Sequence, residues 1–320
     1  MLRLFSFCWI LLGSGTVLAE PSGHGKDTIP DIKTRHAHSP LPNPLPLAGE
    51  GANESVRNLH SSSQPLRLGI TPAAARNQYA LLEEWRAYLE QKLNRPVELI
   101  SRDSSLDTVE LLKQNKLDFA WLSAPVYLRN RQRMNLVAAP VYRGRPLDQT
   151  YLIVPSSDQS TQSILQLQGK VFAFVEPDSN SGYLEPIYQL IQAKKDPDQF
   201  FQKTFFTRDH QKIVAAVAIG LADGGSMSGF AWESLALSRP DITSQTRIVT
   251  KSAQYGFPPI IARSNLNKDN FTRMQKVLLD MANDANGLKL LNQLNLDGFV
   301  LIDDKLYRSV QLMISSLGDQ

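Results

Sequence analysis

Downstream of Pro65 short apolar runs alternate with longer amphipathic ones, which is how strands and helices follow one another in a chain. Residues 66–70 read as a first strand. Thr71 and Pro72 then supply an N-cap and a first-turn proline for a helix reaching about Asn94. Residues 97–101 form the next strand, 106–116 a helix, and 118–122 a strand whose end, Ser123-Ala124-Pro125, opens another helix. Apolar strands follow at 136–141, 151–154 and 171–175, and a helix begins within residues 179–182. Further helices cover 210–221 and 230–237, a strand 247–250, and amphipathic helices 268–293 and 303–317. The alternation predicts an α/β architecture with mostly parallel sheets.

The first 65 residues break this pattern. Arg3 precedes an apolar run at 4–12, and small residues lead to Ala19. This reads as a secretory signal peptide over residues 1–19 cleaved after Ala19, with an uncleaved anchor as the alternative. The run is too short to span a membrane. Cys8, the only cysteine, falls inside it, so the mature chain has no disulfide, thiolate metal site or cysteine nucleophile. A periplasmic location follows. Residues 20–65 hold seven of the nineteen prolines and no helix or strand period, and read as a disordered tether or insertion. Four of the five histidines also lie here, His24, His36, His38 and His60. A His-x-His pair in such a segment must be ordered before it holds metal, so no metal is assigned.

Composition adds a size estimate and one exclusion. At 320 residues, 42% hydrophobic and 20% charged, the chain can build the core of about two domains. Its 34 basic and 31 acidic residues, net +3, give no reason to expect nucleic acid as a partner. A soluble monomer is expected.

The most informative stretch is residues 171–183, Val-Phe-Ala-Phe-Val-Glu-Pro-Asp-Ser-Asn-Ser-Gly-Tyr. An apolar strand gives way to small polar residues that open a helix. Such a start presents free backbone N–H groups and the positive dipole end, and Ser179, Asn180 and Ser181 add side-chain donors. An anion site and a plain capping turn both satisfy that pattern, and it is not a Walker loop. Thr71 and Ser123 open helices after other strands in the same way, where ligands of open α/β sheets bind. His210 opens a helix after Arg208-Asp209, as an anion donor or as a surface cap. An imidazolium there would hold an anion more tightly at pH 6 than at pH 8.

Several blocks in order resemble a known family. They are Leu68-Gly-Ile-Thr71 with Trp85 and Leu93-Asn94 downstream; Leu117-Asp-Phe-Ala-Trp121; Glu176-Pro-Asp-Ser-Asn-Ser-Gly-Tyr183; Asp209-His210 leading Val214-Ala-Ala-Val217; Gly220-Leu-Ala-Asp223; and Tyr255-Gly-Phe-Pro-Pro-Ile-Ile-Ala-Arg263. Residues 66–320 are similar to the phosphonate, phosphite and phosphate-type periplasmic substrate-binding proteins of ABC transporters. That resemblance implies a type II binding-protein fold of two α/β lobes, a hinge and a ligand cleft. It implies one lobe of residues 66–151 and 251–320 and another of 152–250. It implies that Ser179, Asn180, Ser181 and His210 hold the oxyanion, with Thr71 and Ser123 facing the same cleft. At two positions the chain departs from the family: Ser104-Ser105 stands where an aromatic is common, and Ser228 where an acid pairs a ligand amine. With Ser105 and Ser228 there, a small amine-free oxyanion is the expected ligand.

The reading is a solute-binding protein capturing a phosphorus oxyanion for an ABC permease, with no cofactor and no catalysis. The folded part offers no nucleophile–base pair, metal cluster or cofactor fingerprint. The rival is a sensory protein that presents the same ligand to a membrane receptor.

Overall fold

The computed structural model describes residues 64–70, 79–102 and 104–318. Residues 1–63, where the signal peptide, the proline-rich tether and its four histidines are expected, and Thr71 lie outside the described residues. The chain forms β1 (Leu66–Ile70), α1 (Tyr79–Leu93), β2 (Val97–Ser101), α2 (Ser105–Lys113), β3 (Phe119–Trp121), α3 (Ala124–Asn130) and β4 (Met134–Val141), then passes through β5 (Leu147–Asp148). Next come β6 (Thr150–Pro155), β7 (Val171–Phe174), α4 (Glu185–Gln192), α5 (Pro197–Phe200), β8 (Lys203–Phe206), α6 (His210–Ala218), β9 (Gly224–Ser228), α7 (Gly229–Ser238), α8 (Pro240–Thr243) and β10 (Thr246–Lys251). The chain returns through β11 (Tyr255–Gly256) to β12 (Ile260–Arg263), α9 (Lys268–Leu279), α10 (Ala285–Gln293), β13 (Gly298–Val300) and α11 (Arg308–Leu317).

Two sheets result, each the centre of one lobe. The first has the order β13-β4-β12-β3-β1-β2 and the second β10-β6-β9-β7-β8. Both are mixed, which corrects the expectation of mostly parallel sheets. Only the wound runs, β1-α1-β2-α2-β3 and β7 to β9, give parallel pairs. β12 comes back from the return crossing and inserts antiparallel between β3 and β4, and β6 and β10 pair antiparallel in the second sheet. The two crossings are themselves paired: Tyr255 lies opposite Asp148 and Gly256 opposite Leu147 in a two-stranded antiparallel ribbon.

Each lobe has its own core. In the first, Leu82, Trp85, Leu89 and Leu93 recur at helical spacing and bury one face of α1 on the sheet. In the second, Ile213, Val214 and Val217 of α6 do the same. Two elements belong to both. Phe230, at the start of α7, packs against the first lobe's core, its ring 5.1 Å from Tyr142 and 5.0 Å from Phe257. Helix α11 touches α3 of the first lobe and α4 of the second. Leu184 accordingly joins the cluster of Tyr127, Tyr255 and Tyr307. Among the described residues, no helix is long and apolar enough to cross a membrane.

Candidate functional site

The carboxyl ends of β2, β3, β7 and β9 lead into the loops and helix starts that carry the predicted residues. On the second lobe, β7 ends at Phe174 and Ser179 caps the next turn, its Oγ accepting from the Gly182 N–H at 3.0 Å. The turn Asn180–Leu184 is π-helical, wider than the α-helix expected there, and continues into α4. Gly182 is required by contact: a Cβ at that position would stand 2.3 Å from Val175 Cγ2. The Ser-Asn-Ser-Gly order thus lets a helix start lie directly on the end of its preceding strand.

Ser179, Asn180 and Ser181 are buried, at 6%, 7% and 6% exposure. Ser181 is anchored through its carbonyl, which accepts from Ser226 Oγ at 2.6 Å. Asn180 is different. Neither its Nδ2 nor its Oδ1 has a hydrogen-bond partner. A buried amide left this way is costly unless something that enters the site completes it.

His210 opens α6 behind the cap Asp209, whose Oδ1 accepts from the Gln211 N–H. Its Nδ1 accepts from the Ser228 N–H at 3.2 Å. That bond leaves the proton on Nε2, and burial pulls the imidazole down from 6.5 to about 4. The ring is therefore a neutral Nε2–H donor at pH 6 as well as at pH 8, so the condition for tighter binding at pH 6, an imidazolium, is not met.

Ser228 is joined to the crossing ribbon. Its Oγ donates to Asp148 Oδ2 at 2.6 Å, and Asp148 Oδ1 accepts from the Phe230 N–H. Asp148 is buried, and burial raises its carboxyl from 3.8 to about 6. Opposite it, Tyr255 OH and Thr150 Oγ1 are 2.9 Å apart. Glu185 lies one turn beyond Ser181, buried, with Oε1 accepting from Gln189 and Oε2 unpartnered. Burial raises the Glu185 carboxyl too. The loss of an acid at Ser228 therefore does not leave the region without carboxyls. Asp148 and Glu185 supply them from the crossing and from the helix.

The first lobe contributes differently. Ser105 Oγ donates to Glu176 Oε1 at 3.0 Å. Ser123 gives its own helix no side-chain cap and donates instead to the Asp178 carbonyl at 2.6 Å. Both predicted hydroxyls thus meet the loop just before Ser179. The structure brings Ser105, Ser123, Ser179, Asn180, Ser181, His210 and Ser228 around one interlobe region, while Thr71 is outside the described residues. Sequence reading missed Asp148, Tyr255 and Glu185. Only Glu185 left a signal, four residues after Ser181 on the same helical face. Among the described residues, no group of three or more His, Cys, Asp or Glu is arranged to hold a metal ion.

A family model described as ABC transporter, phosphonate, periplasmic substrate-binding protein matches residues 68–307. The match covers most of the chain, and the chain belongs to that family. It is similar to a binding-protein component of an ABC phosphonate transporter from Pseudomonas aeruginosa, 23% identical over 80% of this chain and 87% of that one, with a TM-score of 0.73. It is similar to PhnD1 from Prochlorococcus marinus, solved with methylphosphonate, 21% identical over 79% of this chain and 97% of that one, TM-score 0.70. A Xanthomonas citri protein solved with ATP is 21% identical over 80% of this chain and 97% of that one, TM-score 0.64. At these identities the solved structures speak for the fold, the two-lobed type II periplasmic-binding-protein architecture. Membership makes the chain a periplasmic substrate-binding protein that captures a phosphorus oxyanion for an ABC transporter.

Proposed function

We propose that the ligand's oxyanion sits at the Ser179-Asn180-Ser181 helix start, with Ser228 and His210 beside it and the first-lobe Ser105 and Ser123 holding the loop that leads into it, and that the protein binds and releases it without catalysis. The observation that carries this is Asn180, a buried amide with both polar atoms unpartnered at a helix N-terminus. A tetrahedral oxyanion supplies acceptors for the amide Nδ2 and the free N–H groups together, and its protonated oxygen a donor for Oδ1. Thr71 belongs to the same reading on the family resemblance alone.

The lobes we infer are residues 66–151 with 251–320, and 152–250, hinged at the β5–β11 ribbon. The mature protein is monomeric, begins after Ala19, has no nucleic-acid partner and delivers its ligand to a membrane permease. Calorimetry of the mature chain against phosphate, phosphite, methylphosphonate, 2-aminoethylphosphonate and sulfate tests the reading. At least one phosphorus oxyanion should bind at micromolar Kd or tighter, with sulfate far weaker. No binding by any of them would remove it. Glu185 Oε2 is the group that would favour an ammonium, so the Glu185→Gln variant should lower the 2-aminoethylphosphonate to methylphosphonate affinity ratio.

A further inference from the structure

The hydroxyls and the guanidinium that the first lobe extends toward the site all end on one short segment of the second. Ser105 Oγ bonds Glu176 Oε1 at 3.0 Å, Ser123 Oγ bonds the Asp178 carbonyl at 2.6 Å, and Arg129 Nη1 pairs with Asp178 Oδ1 at 3.0 Å. These three donors come from α2 and from the start and body of α3, elements that take no part in the crossings. Their acceptors are all within the Glu176-Pro177-Asp178 loop, and the next residue is the cap of the oxyanion turn. The Ser179 N–H in turn donates to the Glu176 carbonyl, which ties the loop to the turn.

A second set of interlobe bonds lies beside the ribbon. Tyr142 donates to Glu233 and Arg143 pairs with it at 2.9 Å, while Tyr151 of β6, in the second sheet, donates to the same carboxylate. Tyr142 and Arg143 directly precede the crossing, so rotation about the ribbon changes their contacts least. The loop 176–178 meets elements outside the crossings, and its bonds are among those that opening must break.

We propose that Ser105, Ser123 and Arg129 form a clasp on the 176–178 loop that stabilises the closed form, acting as positioning residues that set affinity and residence time but not ligand choice. This rests on the protein being a two-lobed binding protein and goes beyond the assignment of its oxyanion site. A ligand's apparent affinity scales with the closed population, so a contact made only on closure strengthens every ligand by the same factor. A contact made to the ligand strengthens ligands unequally. The Arg129 pair is partly exposed, at 45% and 18% for the two side chains, which limits it to a modest share of the clasp.

The test uses the full chain with Cys8→Ser and a dye pair at Lys113→Cys and Lys195→Cys, one on each lobe, read as a distance distribution with and without phosphate or methylphosphonate. Arg129→Ala, Asp178→Asn and Ser105→Ala should each shift the distribution toward longer distances. For every oxyanion that binds, dissociation should quicken by about three- to tenfold, with the order of affinities unchanged. The Arg129→Ala and Asp178→Asn pair should cost no more together than either alone, and Arg129→Lys should recover part of the loss. Distributions identical to the parent protein in all three variants would overturn the clasp. A changed order of affinities would overturn it as well, making these residues ligand contacts. If no phosphorus oxyanion binds yet the distributions shift, the clasp stands and the oxyanion reading falls.

Discussion

The two faces of the interlobe region are built from similar residue types and do different things. On the second lobe, Ser179 caps its own turn, Ser181 is pinned through its carbonyl, and the Asn180 amide is buried with nothing to bond. On the first lobe, Ser105 and Ser123 carry equally small hydroxyls, and both are already bonded to the opposing loop. A serine at a strand end is therefore not one kind of signal. The second lobe keeps unpartnered capacity, and the first spends its capacity on the second.

The sharpest way to break that contrast is at Gly182. In Gly182→Ala the new Cβ would overlap Val175, whose Cγ2 stands 2.3 Å away. Overpacking of this kind costs roughly 1–3 kcal/mol. The turn should shift off the strand, with oxyanion affinity falling by about a hundredfold or more and the melting temperature by roughly 3–8 °C. Calorimetry and thermal melts check both; unchanged values would mean the turn is far more pliable than its packing suggests.

Next in size are the serines. Hydrogen bonds to a charged ligand are worth about 1.5–3 kcal/mol, so Ser181→Ala or Ser179→Ala should weaken binding about ten- to a hundredfold. Ser105→Ala should cost less than tenfold and leave ligand order alone. Equal losses on the two lobes, measured side by side by titration calorimetry, would erase the distinction.

The smallest effects are in pH. Because the His210 ring is neutral, the ratio of His210→Ala to parent affinity should be the same at pH 6 and pH 8. A ratio that widens at pH 6 would restore the imidazolium. Stability gives a second reading. Burial holds His210 at about 4 instead of 6.5, so between those values the unfolded chain binds the extra proton and the group stabilises the fold as pH rises. Burial holds Asp148 at about 6 instead of 3.8, so there the folded chain binds the extra proton and stability falls as pH rises. The two contributions oppose each other from about pH 4 to 6. Relative to the parent, His210→Gln should gain stability on acidification through that window and Asp148→Asn should lose it, each seen in denaturant melts at pH 6.5 and 4.5.

How far the sequence could see follows from the same contrast. The apolar run 171–174 and the small polar residues after it mark the buried turn at 179–184 by local chemistry alone. So does Asp209, which caps α6. β9 was not legible: Gly224-Gly-Ser-Met-Ser228 has no apolar alternation, yet all five residues are buried. Its glycines are set by helix contact, since a Cβ at Gly225 would stand 2.6 Å from Ile213 Cγ2. The pairing of Asp148 with Tyr255 depends on two crossings more than a hundred residues apart, and nothing local to either announces it. The mixed sheets escaped for the same reason. A returning strand's direction is fixed by where the crossing delivers it, not by its own residues.

Phe230 bears on how the molecule comes apart. It is supplied by one lobe and packed into the core of the other, so neither lobe owns a complete interior. A first lobe expressed alone would expose the Tyr142 and Phe257 rings that Phe230 covers, and α11 would lose the helix it rests on. Denaturation should accordingly run as one cooperative event across both lobes, with a single calorimetric peak. The packing of Phe230 and α11 across the lobes is what makes the two halves melt as one.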